Sequence, residues 1–356
     1  MTAAPDPQGW VPDVLGEEFF QLTLPLRADD EGEVVATLVR ALPERTAWQR
    51  LFGDRRTLAD TDVLYVHGWS DYFFQKRLAR FWTGRGARFF ALDLRKYGRS
   101  LRPGQTPGYI SDLAEYDEDI AAALAAMTDG QGAAPRRLVL LGHSTGGLTL
   151  SLWAARNPGV ASAVILNSPW LEFQLPRFTR ETIAPLVGLQ AKRRPLDRAP
   201  QVDLGFYTRA QNEVADPEDP MDVDLAWRPA QTMAVHAGWL NAILAGHASI
   251  AAGIDIGVPV CVLLSAHSAY PTSWSEDLTR ADSVLVVDDI ARAALKIGHS
   301  ITIEWIEGAL HDVFLSRHEA REEAYARLGH WVDGWAAADS AARAAASRDA
   351  GAPGVD

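Results

Sequence analysis

Gly142, His143, Ser144, Thr145 and Gly146 spell G-x-S-x-G directly after the apolar run Leu138 to Leu141. A serine in such a pentapeptide stands on a sharp turn from a strand into a helix, with its hydroxyl presented at the top of a sheet. The serine backbone is strained there, and a Cβ two residues away on either side would meet the neighbouring strand or helix, so both flanking positions are glycine. The pentapeptide alone is a weak signal. Its setting is what constrains the fold. Arg136 to Leu141 predicts a buried strand, and Leu148, Leu152 and Trp153 recur at helical spacing after the turn.

The flanking sequence extends this strand–turn–helix unit into an alternating pattern. Asp62 to His67 and Arg88 to Leu94 predict short strands, with a helix-like stretch holding Phe74, Leu78, Phe81 and Trp82 between them. Leu113, Tyr116, Ile120, Leu124 and Met127 form one apolar helical face, and Ala163 to Asn167 predicts the strand after the serine helix. This alternation is the signature of an α/β fold with a mostly parallel central sheet flanked by helices. Glu18 to Leu24 and Glu33 to Ala41 predict an antiparallel hairpin ahead of it. From Pro169 to about Gly257 the alternation stops, for far longer than the ordinary loop of about 2 to 6 residues. Its prolines and aromatics, among them Trp170, Phe206, Tyr207, Trp227 and Trp239, predict an inserted, mostly helical cap. Within it, Asp216, Glu218, Asp219, Asp222 and Asp224 read as a solvated loop. Val258 to Ser265 and Ser300 to Ile306 resume the sheet, and Tyr325, Leu328, Trp331, Val332 and Trp335 mark a terminal amphipathic helix. The organisation expected is a core over 1–168, a cap (lid) over 169–257, the rest of the core over 258–336, and over 337–356 a frayed helix passing into a disordered tail.

Composition narrows the chemistry. A net charge of -12 argues against binding to nucleic acid or to anionic membranes. The single cysteine, Cys261, sits in an apolar strand and reads as a buried structural thiol. Met1 to Val11 has neither a basic start nor an apolar stretch of a secretion signal, and no apolar segment is long enough to span a bilayer. A soluble, cytoplasmic protein acting on a small molecule is expected. No histidine and carboxylate cluster has metal-ligand spacing, and neither a P-loop nor a G-x-G-x-x-G follows a strand, so no metal and no cofactor is expected.

A serine hydroxyl is a poor nucleophile near neutral pH and needs a hydrogen-bonded base, which in turn needs a carboxylate. In a sheet of this kind the chain order is serine, acid, histidine. His311, in the loop Gly308 to Phe314 just beyond the strand ending at Ile306, has the required position. His299 precedes that strand, and His318 and His330 belong to the final helix.

At these residues the chain resembles the α/β-hydrolase superfamily over nearly its whole length. It is most similar to the monoacylglycerol lipase and lysophospholipase branch, also called serine aminopeptidase-like. The matching pieces are His67-Gly68-Trp69, Asp93 to Ser100, Gly142 to Gly147, Asn167-Ser168-Pro169 and Gly308 to His311. Tyr97 departs, standing where a histidine is usual. The resemblance implies the α/β-hydrolase fold and a serine esterase cleaving carboxylic esters through an acyl-enzyme, with apolar acyl substrates such as monoglycerides or lysophospholipids. It implies an oxyanion hole from the backbone N–H groups of Trp69 and Thr145, and a catalytic triad of Ser144, Asp282 and His311. The acid is where the sequence departs most: Ala266 to Pro271 holds no carboxylate, and the enlarged segment after it offers Asp277 and Asp282, with Asp288 beyond. Asp282-Ser283-Val284-Leu285 fits the family pattern best, against the alternative that Asp282 merely caps the following helix. Acyl transfer, amide or peptide cleavage, and ligand binding without turnover remain alternatives on the same residues.

Overall fold

The apolar runs become the strands of one twisted sheet in the computed structural model, which describes residues 9–128, 136–174, 177–201, 203–217, 220–270 and 272–350. The chain opens with β1 (Val11–Asp13), β2 (Gly16–Pro25) and β3 (Val35–Ala41), followed by α1 (Ala47–Phe52), β4 (Thr61–Val66), α2 (Lys76–Gly84) and β5 (Arg88–Asp93). Next come α3 (Tyr116–Thr128), β6 (Arg137–His143), α4 (Thr145–Arg156) and β7 (Ala163–Asn167). The long connection after β7 carries α5 (Arg177–Arg193), α6 (Phe206–Glu213) and α7 (Ala237–Ala252). The sheet resumes with β8 (Val260–Ser265), α8 (Val287–Ala294) and β9 (Ile301–Ile306), and α9 (His318–Ala350) closes the chain.

Among the described residues nine strands pair in the order β1-β2-β3-β5-β4-β6-β7-β8-β9. The first three are antiparallel to one another and β3 is antiparallel to β5, whereas β4 to β9 are parallel throughout. Alternate side chains divide two cores. Leu64, Val66, Leu140, Leu166 and Val262 pack under α3, α4, α7 and α8. Val63, Tyr65, Val139, Ile165 and Leu263 pack under α2 and α9. Burial on both faces is why the central strands read as unbroken apolar runs. Cys261 lies fully inside β8, and burial pushes its thiol pKa up, so it stays protonated.

The order β5-β4-β6 sets the place of the site. The connection from β4 leads to one side and the later crossover into β6 returns on the other, so the loops after β4 and β6 diverge. A crevice opens between them at the carboxyl ends of the parallel strands, where ligands bind in such sheets.

Two expectations need correction. The opening hairpin has a third member, β1, too short to show a period. The stretch from 337, expected as a frayed helix passing into a disordered tail, continues α9 as far as Ala350, because alanine is the best helix former and Arg343 pairs with Asp339 one turn back at 2.7 Å. Residues 351–356 lie outside the described residues. No helix among those described is long and apolar enough to cross a membrane.

Candidate active site

Ser144 is the residue between β6 and α4, with φ 50° and ψ -118°, a conformation that costs a non-glycine residue energy. The glycines around it explain how the turn closes. A Cβ on Gly142 would stand 2.7 Å from the Cα of Gly147, and one on Gly146 would overlap the carbonyl oxygens of Val66 and His67. Helix α4 can therefore sit directly against the end of β4. The Ser144 N–H donates to the Asn167 carbonyl at 3.0 Å, and its own carbonyl accepts from Gly147 and Trp170, both at 2.9 Å. Thr145 is the first residue of α4, where a helical N–H has no partner within the helix.

Ser144 lines a cavity of about 440 Å³ together with Trp69, Thr145, Trp170, Trp239 and His311. The imidazole of His311, delivered by the loop after β9, meets Asp282: Nδ1 lies 2.9 Å from Oδ2, with the two side chains 3% and 0% exposed. The other carboxylate oxygen accepts from the N–H groups of Val284 (2.7 Å) and Leu285 (2.8 Å), so both oxygens are engaged. The enlarged loop explains the missing carboxylate after β8. The chain leaves after Ala269 and returns at Asp282, whose N–H donates to His267 O (2.9 Å) and whose carbonyl accepts from Ala269 (2.8 Å). Asp282 thus lands beside the extension of β8 although it is distant in sequence.

The competing acids lie elsewhere. Asp277 is exposed on a single 3-10 turn, and Asp288 is exposed in the first turn of α8. The N-cap of α8 is Val286, so Asp282 does not cap that helix. His299 is exposed beside Asp255, and His318 and His330 belong to α9.

His67 holds the loop after β4. Its Nε2 accepts from the Leu94 N–H at 3.1 Å, so the proton sits on Nδ1, which donates to the Gly68 carbonyl at 2.7 Å. Tyr97, the departure noted above, packs edge-on against this imidazole at 4.9 Å between ring centres and against Trp69 at 6.0 Å. Gly68 passes close to the nucleophile position; a Cβ there would stand 3.0 Å from Ser144 Cβ. His143 Nδ1 lies 3.2 Å from the Asn167 carbonyl and its ring centre stands 5.0 Å from that of His311; burial, opposed by Asp312, holds its pKa below the ordinary histidine value.

Sequence reasoning singled out Asp71 and Tyr72 as candidate pocket residues but passed over Asp312 and the buried partners gathered around it. Asp312, next to His311, accepts from Asn167 Nδ2 at 2.7 Å and from Gln75. Asp71 lines the cavity and pairs with Arg228 of the long connection at 2.8 Å, while Tyr72 is buried behind it. Nothing local marks Asp312, Gln75 or Arg228, because their partners come from distant loops. Of the acidic stretch, Asp216 pairs with Arg321 of α9, Asp222 and Asp224 are exposed, and Glu218 and Asp219 lie outside the described residues. No group of three or more His, Cys, Asp or Glu among the described residues could hold a metal ion.

Comparison with known proteins agrees with this architecture. Residues 59–267 match the family described as serine aminopeptidase, S33. A monoacylglycerol lipase of Mycolicibacterium smegmatis is 32% identical over 115 residues, a match spanning 31% of this chain and 39% of that relative's length. Among solved structures, a soluble variant of monoglyceride lipase from Saccharomyces cerevisiae in complex with a substrate analog superposes with a TM-score of 0.60 at 16% identity, covering 88% of this chain and 96% of that one. Monoacylglycerol lipase from Paleococcus ferrophilus gives 0.56 at 19% identity, covering 84% and 99%. Structures this dissimilar in sequence speak for the fold, and the match over more than half of the chain speaks for descent: a mostly parallel sheet with a strained serine at its switch point makes this chain a member of the serine aminopeptidase S33 family of α/β-hydrolases.

Proposed function

We propose that the chain is a serine hydrolase of carboxylic esters. Ser144 attacks the acyl carbonyl, His311 takes the proton and returns it to the leaving alcohol, and Asp282 holds the tautomer and stabilises the imidazolium. The N–H groups of Trp69 and Thr145 receive the oxyanion, a contribution of about 3 to 4 kcal/mol for each donor in such sites. Water then cleaves the acyl-enzyme. The observation that carries this reading is the buried 2.9 Å pair of Asp282 and His311, whose imidazole lines the same cavity as the strained Ser144.

The substrate reading rests on the walls. Trp69, Trp170, Trp239, Leu204, Val284 and Leu285 suit an apolar acyl group, and the lipases among the relatives favour monoglycerides. Amine recognition would need a spare carboxylate. The acids lining the cavity are committed, Asp71 to Arg228 and Asp203 to the N–H groups of Gly205 (2.8 Å) and Thr232 (2.7 Å), which favours esters over aminopeptidase substrates. In this reading the segment 169–257 is a cap over the site.

Ser144→Ala is the direct test. It should abolish ester turnover and labelling by a fluorophosphonate probe while thermal unfolding barely moves, because no large side chain leaves the core. Substantial turnover by the purified variant would reject Ser144 as nucleophile.

A further inference from the structure

The long connection does more than cover the cavity; it grips both loops on which the proposed chemistry depends. The loop after β4, which carries Trp69, has three ties to it. Met233 N–H donates to Ser70 Oγ at 3.0 Å, Arg228 Nε donates to Asp71 Oδ1 at 2.8 Å, and Asp224 N–H donates to the Tyr72 hydroxyl at 2.8 Å. The loop after β9, which carries His311, is tied by Tyr207 of α6. Its hydroxyl accepts from the Asp312 N–H at 3.1 Å, and its ring stands edge-on to the His311 imidazole at 5.6 Å between centres.

These ties join into one chain. Arg228 Nη2 donates to Gln211 Oε1 at 2.8 Å, and Gln211 Nε2 donates to the Tyr207 hydroxyl at 2.8 Å. The path Asp71–Arg228–Gln211–Tyr207–Asp312 therefore starts two residues after Trp69 and ends one residue after His311. Arg228 is 12% exposed, lines the cavity, and faces the buried carboxylates of Asp71 and Asp312. Burial disfavours its charge, but Asp71, Tyr207 and Asp312 outweigh burial and raise its pKa, so it remains a cation. A buried polar chain in which each member has a partner rigidifies what it joins.

We propose that Tyr207 and Arg228 are positioning residues, through which the β7–β8 connection sets the mutual placement of the Trp69 N–H and the His311 imidazole. The proposal rests on the ester-hydrolase reading above. Each acts by holding a loop that carries a reacting group, Arg228 through Asp71 and Tyr207 through Asp312.

The test uses the full chain with Tyr207→Phe, Arg228→Lys and the double variant, assayed on a soluble nitrophenyl ester and normalised by fluorophosphonate titration of reactive serine. Misplacement of the reacting groups should lower kcat per titrated site by about 10- to 100-fold, with KM moving by less than roughly threefold. Lysine keeps the charge but cannot span Asp71 and Gln211 as the guanidinium does, so it should not rescue. Because both residues belong to one chain, the double variant should lose little more than the worse single one. Amide exchange at 68–72 and 311–314 should quicken in Tyr207→Phe. Unchanged kcat in the single variants, a loss confined to KM, or losses that multiply in the double variant would each overturn the proposal. A wild-type chain that neither turns over esters nor labels at Ser144 overturns the ester-hydrolase reading instead. Amide exchange then judges the grip alone: quickening at both loops supports it, and no change refutes it.

Discussion

At Asp282 a single carboxylate divides its two oxygens between tasks, one toward His311 and one toward its own turn. Asp282→Asn separates them. The amide oxygen can still accept from Val284 and Leu285, but an amide nitrogen facing Nδ1 would hold His311 in the wrong tautomer. The variant should fold normally and lose about 10³- to 10⁴-fold in kcat. Asp277→Asn and Asp288→Asn, at exposed positions, should leave kcat unchanged. Equal activity in all three variants would remove Asp282 from the mechanism. At this scale much was legible. The neighbours of Ser144 and the position of His311 after the last strand pointed to both residues. Asp282 was legible only through Ser283, Val284 and Leu285 beside it, because the enlarged loop removed the usual spacing.

At the scale of elements the critical fit is between α4 and the end of β4. Gly146→Ala would drive a Cβ into the carbonyls of Val66 and His67, forcing the helix start away from the sheet. Such overpacking should cost about 1 to 3 kcal/mol of stability. It should also lower kcat, since Thr145 moves with the helix. Gly84→Ala in α2 is the control: nothing stands within 4 Å of its added Cβ, so stability should hold or rise slightly. Urea unfolding of both variants checks the contrast, and equal midpoints would show that the approach at Gly146 is looser than described. The strand and helix pattern on either side of this junction was readable from periodicity. The short elements β1 and α1 were not, because three and six residues hold too little period to register.

At the scale of the whole molecule, stability carries a proton linkage. Burial, opposed by Asp312 and reinforced to a lesser degree by His311, holds the His143 pKa below the ordinary histidine value. On acidification the unfolded chain therefore takes up this proton before the folded one does. The contribution of neutral His143 is complete above about pH 6.5 and is lost as pH falls through the folded-state pKa. The denaturation midpoint should fall on acidification below about pH 6.5, and His143→Gln should show a shallower fall. Identical slopes in the two proteins would exclude His143 as a source of the acid sensitivity. The connection between β7 and β8 also acts at this scale, since its ties reach loops after β4 and β9 on opposite sides of β6.

The sequence by itself determined the strands, the strained serine turn and the faces of the main helices. Each rests on contacts or steric limits within a few residues, so spacing alone reveals them: Leu138 to Leu141 is apolar because both faces of β6 are covered, and Gly142 and Gly146 are small because α4 lies against β4. Only the tertiary structure decided which acid meets His311 and which polar residues tie the β7–β8 connection to the core. Asp282 depends on how a long loop closes, and the cost of closing a loop rises too slowly with length to mark one register over another. Arg228 and Tyr207 stand in a segment without period, where spacing marks no partner for either. They acquire their roles only when folding brings Asp71 and Asp312, from separate strand ends, against the same connection.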